Sequence, residues 1–242
     1  MRLPVVLLCL GLLGASCANN FLHADFSNDT IGARPSAALF GEPEGDTLVF
    51  HPDIASRLKV ETWNPGSKAL DYQNTPITST ISGHQDWLSF KSRPASFGKS
   101  VVYTTWLRPN LSAESAELLI DFDDGFSTLI TRLILRPLVG MDGAIILVDD
   151  FSSEFGSEVV GTYQGGTDLA LILTFHPSTN KFDLSVLQQG VQVDKKAIAS
   201  LTNNPQDYAM RPRPRMSFKI EGSTNAYPPN QVLINQVTIG SE

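Results

Sequence analysis

Apolar and polar residues alternate in short runs along most of the chain, and Gly, Pro, Asn and Asp clusters break the runs. A period of two puts successive side chains on opposite faces of an extended strand. The pattern predicts strands over Asp46–Phe50, Ser100–Leu107, Ala116–Phe122, Ser127–Leu135, Gly143–Val148, Ser157–Tyr163, Leu169–Phe175, Lys181–Leu187, Arg215–Glu221 and Gln231–Ile239. In the second of these, Val101, Tyr103, Thr105 and Leu107 share one face, and Val102, Thr104, Trp106 and Arg108 the other. In the third, Leu118, Ile120 and Phe122 oppose Glu117, Leu119, Asp121 and Asp123. In the fourth, Leu129, Leu133 and Leu135 face the expected core, while Arg132 and Arg136 point away. Turns are expected at Asp123-Asp124-Gly125, Asp142-Gly143, Gln164-Gly165-Gly166, Pro177–Asn180 and Gln189-Gly190. Helical periodicity is weak, and the best candidate is Lys195–Asn203. Many short strands without helices between them predict an all-β fold, an antiparallel sandwich or barrel.

Composition narrows the possibilities. Of 242 residues, 42% are hydrophobic and 18% charged, enough apolar material for a packed core. Lys and Arg total 18 against 25 Asp and Glu, a net charge of −7. That balance excludes a globally cationic surface for nucleic acid or anionic lipid. Both cysteines, Cys9 and Cys17, lie near the start, so the body of the chain has neither a disulfide framework nor a cysteine zinc site.

Residues 1–17 have export character. Arg2 precedes an apolar run from Leu3 to Leu13, too short for the roughly 20 residues of a membrane-spanning helix. Small residues Gly14, Ala15 and Ser16 follow, then Cys17. The stretch Leu12-Leu13-Gly14-Ala15-Ser16-Cys17 resembles a bacterial lipobox, with Gly14 standing where that pattern usually has Leu. The resemblance implies acylation of Cys17 and an outer-membrane or cell-envelope lipoprotein, touching the membrane only through its lipid. Ordinary cleavage nearby and plain secretion is the alternative.

Further motifs resemble the concanavalin A-like, laminin G-like jelly-roll superfamily. They are Asp25–Pro35, which looks like its opening strand and turn, the turn Gly41–Asp46, Asp121-Phe122-Asp123-Asp124-Gly125, Asp142-Gly143-Ala144-Ile145, and the closing run Val232–Ile239. The resemblance covers Phe21 to Gly240. It implies one jelly-roll β-sandwich over 21–240, with the closing strand paired to the opening one.

Some members of that superfamily hydrolyse β-glucans through a Glu-x-Asp-x-Glu strand that places two carboxylates on one face. The nearest match is Glu117–Asp123, but Leu119 occupies the nucleophile position, and Glu117 lies roughly 7 Å too far back along the strand. The spacing argues against that enzyme. Calcium is a candidate for Asp121, Asp123 and Asp124, or for Asp149 and Asp150, although turn chemistry accounts for the same residues. No other cofactor is implied. His23, His51, His84 and His176 lack metal-ligand spacing.

Trp63, Tyr72, Trp87 and Trp106 are candidates for stacking against sugar rings, with core packing as the competing role. Trp106, Arg108, Asp121, Asp123 and Arg132 all fall opposite the apolar faces of their strands, and are expected to form one ligand-binding face. The resemblance makes carbohydrate the first ligand to test. A glycan-active hydrolase or lyase with a non-standard site, and a protein–protein adhesion or envelope-structural module, are the alternatives. Met210–Arg215 is extended by its prolines, so alternate arginines project together. It suits either an anionic polymer or a stiff lead-in to the next strand.

The anchor is testable. Globomycin should leave an unprocessed precursor, and Cys17→Ser should abolish palmitate labelling. Normal processing of Cys17→Ser, with no lipid on the parent, would leave plain secretion.

Overall fold

The computed structural model describes residues 19–35, 47–50, 54, 56–73, 87–92, 99–111, 116–125, 128–138, 141–148, 157–201, 213–221 and 230–241. Cys17 and the export run lie outside them, as do His51, His84, Asp149, Asp150 and Arg211.

The strands are β1 (Asn19–Ala24), β2 (Thr47–Phe50), β3 (Lys59–Asn64), β4 (Ser67–Gln73), β5 (Trp87–Lys91), β6 (Val101–Asn110), β7 (Glu117–Asp123) and β8 (Leu129–Leu138). They continue with β9 (Met141–Val148), β10 (Ser157–Tyr163), β11 (Leu169–His176), β12 (Lys181–Gln188), β13 (Val191–Ala199), β14 (Arg215–Glu221) and β15 (Gln231–Ser241). They form two antiparallel sheets. The first has the order β13-β12-β11-β6-β15-β4-β3, with β1 also on β15; the second is β10-β9-β8-β7-β14-β5-β2. The long closing strand β15 pairs with β6 on one side, and with β4 and then β1 on the other. The implied pairing of opening and closing strands therefore holds. The opening strand, however, ends at Ala24, and residues 25–35 form turns and irregular backbone.

Alternation builds the core. Leu118, Ile120, Phe122, Leu133 and Leu135 are fully buried, as expected, and join one apolar cluster with Tyr103, Leu171, Phe218 and Ile239. Two tyrosines of the first sheet also tie it to the second by hydrogen bonds. The Tyr103 hydroxyl donates to the Asp123 carbonyl at 3.0 Å, and the Tyr72 hydroxyl accepts the Ile220 N–H at 3.1 Å. Both bonds land on β7 or β14, the central strands of the second sheet.

Three expectations are corrected. Lys195–Asn203 is not a helix: residues up to Ala199 belong to β13, and 202–203 lie outside the described residues. Gln189 and Gly190 both take positive φ, 49° and 81°, and turn the chain back along β12. The strand ladder then satisfies backbone groups that an isolated two-turn helix could not hold in water. The turn expected at Asp142-Gly143 falls inside β9, in keeping with the strand expected from Gly143. Gly143 faces Tyr163 on β10, and a Cβ there would come within 2.2 Å of that ring. Leu129 does not join the core, because a bulge beside Asp123 shifts the register and buries Ile130 instead.

Phe122 meets Tyr103 edge-to-face at 5.6 Å between ring centroids. Phe122→Ala should lower unfolding stability by about 3–5 kcal/mol, measured by chemical denaturation. A loss below about 1 kcal/mol would mean that the faces of β7 are reversed.

Candidate functional site

The outward faces of β7, β14 and β5 lie side by side in the second sheet, and their registers stack side chains in rows. One row is Asp123, Arg215 and Lys91; the next is Asp121, Ser217 and Ser89; the third is Leu119, Lys219 and Trp87. Met216, Phe218 and Ile220 are buried, so strict alternation on β14 turns Arg215, Ser217 and Lys219 outward. These strands hold a groove of about 340 Å³ lined by Trp87, Ser89, Leu119, Asp121, Arg215, Ser217 and Lys219. That volume is at the small end of ligand pockets.

The third row gives the groove an apolar floor, with Leu119 almost fully buried and Trp87 half-buried. The middle row supplies oxygens. The Ser89 and Ser217 hydroxyls are 2.8 Å apart and hydrogen-bonded, which leaves one hydroxyl proton of the pair available. Asp121 accepts from Arg132 Nε at 2.5 Å and Nη2 at 2.8 Å, and that contact raises the arginine's already high pKa. Lys219 is ion-paired with Glu221. Arg136 and Glu117 pair at 2.5 Å across β8 and β7, outside the groove.

The first row holds a buried carboxylate. Asp123 is only 3% exposed, although its side chain leaves on the outward face. It accepts the Gly125 N–H at 2.6 Å and Arg215 Nε at 3.0 and 2.8 Å. Gly125 has φ 79°, and a Cβ there would lie 1.8 Å from the Arg213 carbonyl oxygen. Only glycine lets the Asp123–Gly125 turn sit against the backbone leading into β14. The Arg213 N–H also donates to the Asp124 carbonyl at 2.9 Å, so the turn fixes where Arg215 begins its strand. Burial raises the Asp123 carboxyl to about 6, against the opposing pull of Arg215 and the Gly125 N–H.

The expected single face of Trp106, Arg108, Asp121, Asp123 and Arg132 is divided. Trp106 and Arg108 are on β6 of the first sheet, and Asp121, Asp123 and Arg132 are on β7 and β8 of the second. In a sandwich these two outward faces look in opposite directions. Arg108 bonds Asp168 through Nε at 2.8 Å and Nη2 at 2.6 Å, and lies 4.1 Å from the centre of the buried Trp63 ring. Trp106 is half-buried between Gln236 and Ala170. Tyr72 is in the core. The groove tryptophan is therefore Trp87. Arg215, Ser217 and Lys219 were visible as alternate polar positions, but nothing local predicts that β14 lies between β7 and β5.

The calcium expectation for Asp121, Asp123 and Asp124 does not fit their contacts. Asp121 and Asp123 are turned to arginines, and Asp124 accepts the Thr128 N–H at 3.0 Å. Among the described residues, no three His, Cys, Asp or Glu side chains are grouped to hold a metal ion. His176 contacts Ser100 and Asp183, and His23 lies near Asp25 and Thr238.

No protein-family model matches the chain, and no curated protein sequence does. Solved structures do. A sialidase superposes on 92% of this chain at 16% identity with a TM-score of 0.55; the chain spans 19% of that protein. The carbohydrate recognition domain of Emp47p covers 93% of this chain and 96% of its own length, at 8% identity and a TM-score of 0.52. The lectin II from Ulex europaeus covers 93% and 100%, at 8% identity and a TM-score of 0.50. The fold is the concanavalin A-like jelly roll. At these identities the likeness concerns the fold, and the site rests on this chain's own residues.

Asp123 sets a pH dependence. The folded carboxyl holds its proton up to about pH 6, the unfolded one only to about 3.8. The folded state therefore binds the extra proton between these values. The stability gained is full below the lower value and is lost as pH rises through the upper one. Denaturation at pH 4.5 and 7 should show the parent losing about 2 kcal/mol over this rise relative to Asp123→Asn. Identical pH dependence in the two proteins would overturn this assignment.

Proposed function

We propose that the protein is an exported carbohydrate-binding module, anchored by lipid on Cys17, whose ligand lies in the groove across β5, β14 and β7. The observation that carries this reading is the groove's composition: an indole and a leucine in one row, on either side of Lys219, and next to them a row of hydroxyls and a carboxylate. Pyranose rings have an apolar C–H face and an equatorial belt of hydroxyls. Trp87 and Leu119 suit the first, and Asp121, Ser217 and Ser89 the second. Asp121 is held by two bonds to Arg132, and each of its oxygens retains a lone pair for a ligand hydroxyl. Rigid, pre-oriented polar groups lower the ordering cost of binding. The lectin and the carbohydrate recognition domain with the same fold add support by their names.

A glycan array with the purified protein, followed by titration of the hits, tests the proposal. Trp87→Ala should reduce affinity at least tenfold while shifting the melting temperature by only a few degrees, because the ring is half-buried on the outward face. If Trp106→Ala removed binding and Trp87→Ala did not, the ligand would lie on the opposite sheet. An array with no hits would overturn the carbohydrate reading.

A further inference from the structure

The arginines of the two outward faces are used differently. Arg132 and Arg108 each turn Nε and one Nη toward an aspartate, so one edge of each guanidinium is taken up. Arg215 engages Asp123 through Nε alone. Its two terminal amino groups have no partner among the described residues, its side chain is 35% exposed, and it lines the groove. Arg136 also bonds through Nε alone, but it lies on the exposed part of β8 outside the groove.

We infer that the groove takes an oligosaccharide bearing a carboxylate, and that the terminal amino groups of Arg215 receive that carboxylate. This rests on the groove being the glycan site proposed above. The Nη pair offers parallel N–H donors at the spacing of two carboxylate oxygens, a fit that a point-charge ammonium cannot make. The tether fixes its direction. Asp123 is held by the Gly125 N–H, and the Asp123–Gly125 turn is packed against the Arg213 backbone, so the guanidinium is aimed before a ligand arrives. The other groove cation, Lys219, is already paired with Glu221, which leaves Arg215 as the carboxylate receptor.

Spacing sets the ligand's size. Arg215 and the Lys219–Trp87 row are four residues apart along β14, about 13 Å. One pyranose ring cannot span that distance. The ligand is at least a disaccharide, with a neutral ring over Trp87 and Leu119 and an acidic residue toward Arg215. The overall charge of −7 opposes long-range attraction of polyanions, so recognition is by contact at a single carboxylate.

The test compares oligogalacturonates, other uronate-containing oligosaccharides and sialylated oligosaccharides with their methyl esters, which keep the sugar and remove the charge. Calorimetry should give an acid form binding at least about tenfold more tightly than its ester, the scale of one charge-assisted hydrogen-bond pair. Arg215→Gln should bring the acid-to-ester ratio close to one, and Arg215→Lys should leave it in between. Equal binding of acid and ester by the parent protein overturns the inference whether or not the variants fold, as does a ratio that survives Arg215→Gln. Those results leave the groove intact as a neutral-sugar site. Failure of every oligosaccharide, acidic or neutral, to bind in a Trp87-dependent way overturns the groove reading itself.

Discussion

Every long strand here must give one face to a core shared by two sheets, and the rest of the structure follows from that requirement. Burial of Tyr103, Phe122, Leu171, Phe218 and Ile239 between the sheets is the main stabilising term. A chain without cysteines in its body has no covalent cross-link to supplement it. Burying every second side chain leaves the intervening ones aligned in rows across the sheet. The groove is made of such rows, so the pattern that fills the core also sets the spacing of the side chains that line the groove. The Tyr103 and Tyr72 hydroxyl bonds strengthen this link, since each joins the opposite sheet to a strand of the groove.

The outward charges contribute more to orientation than to stability. Exposed pairs such as Arg136 with Glu117 contribute at most about 1 kcal/mol. Asp123 is a different case. It sits almost out of water, and desolvation outweighs Arg215 enough to hold its carboxyl near 6. A carboxylate kept where it is costly to ionise is poor material for stability. It is effective for orientation, because it accepts the arginine through Nε and leaves the two amino groups directed elsewhere.

Period-two alternation was readable wherever a strand is buried on one face, which is why Leu118, Ile120, Phe122, Leu133 and Leu135 were placed correctly. It failed where the signal is not local. β3, β4 and β5 are short or rich in polar residues and do not stand out, and the end of β13 from Lys195 reads as a helix because its edge position leaves its alternation weak. The bulge that exchanges Leu129 for Ile130 has no marker in the sequence. The candidate site suffered most. Outward positions on β6, β7 and β8 were each identified, but alternation says only which residues point out of a sheet. It does not say which sheet the strand belongs to. Trp106 and Asp121 are both outward-facing and lie on opposite sides of the molecule. Pairing of β14 with β7, almost a hundred residues apart, is fixed by the global strand order and by nothing within either strand.

That strand order also bears on what the groove can do. Related folds that cut glucans need two carboxylates flanking the scissile bond, with one free to accept or give a proton. β7 offers Asp121 and Asp123 as neighbours on one face, roughly 7 Å apart along the strand. Asp121 faces the groove but is tied at both oxygens to Arg132. Asp123 has the raised pKa of a proton donor, yet it is enclosed by Arg215, the Gly125 N–H and the turn, and does not line the groove. Leu119 fills the remaining position with a hydrocarbon surface. Anchored or apolar groups at these positions suit ring contact and orientation, as proposed, better than proton transfer. On the proposed reading, the alternation that could carry a catalytic pair holds a ligand still.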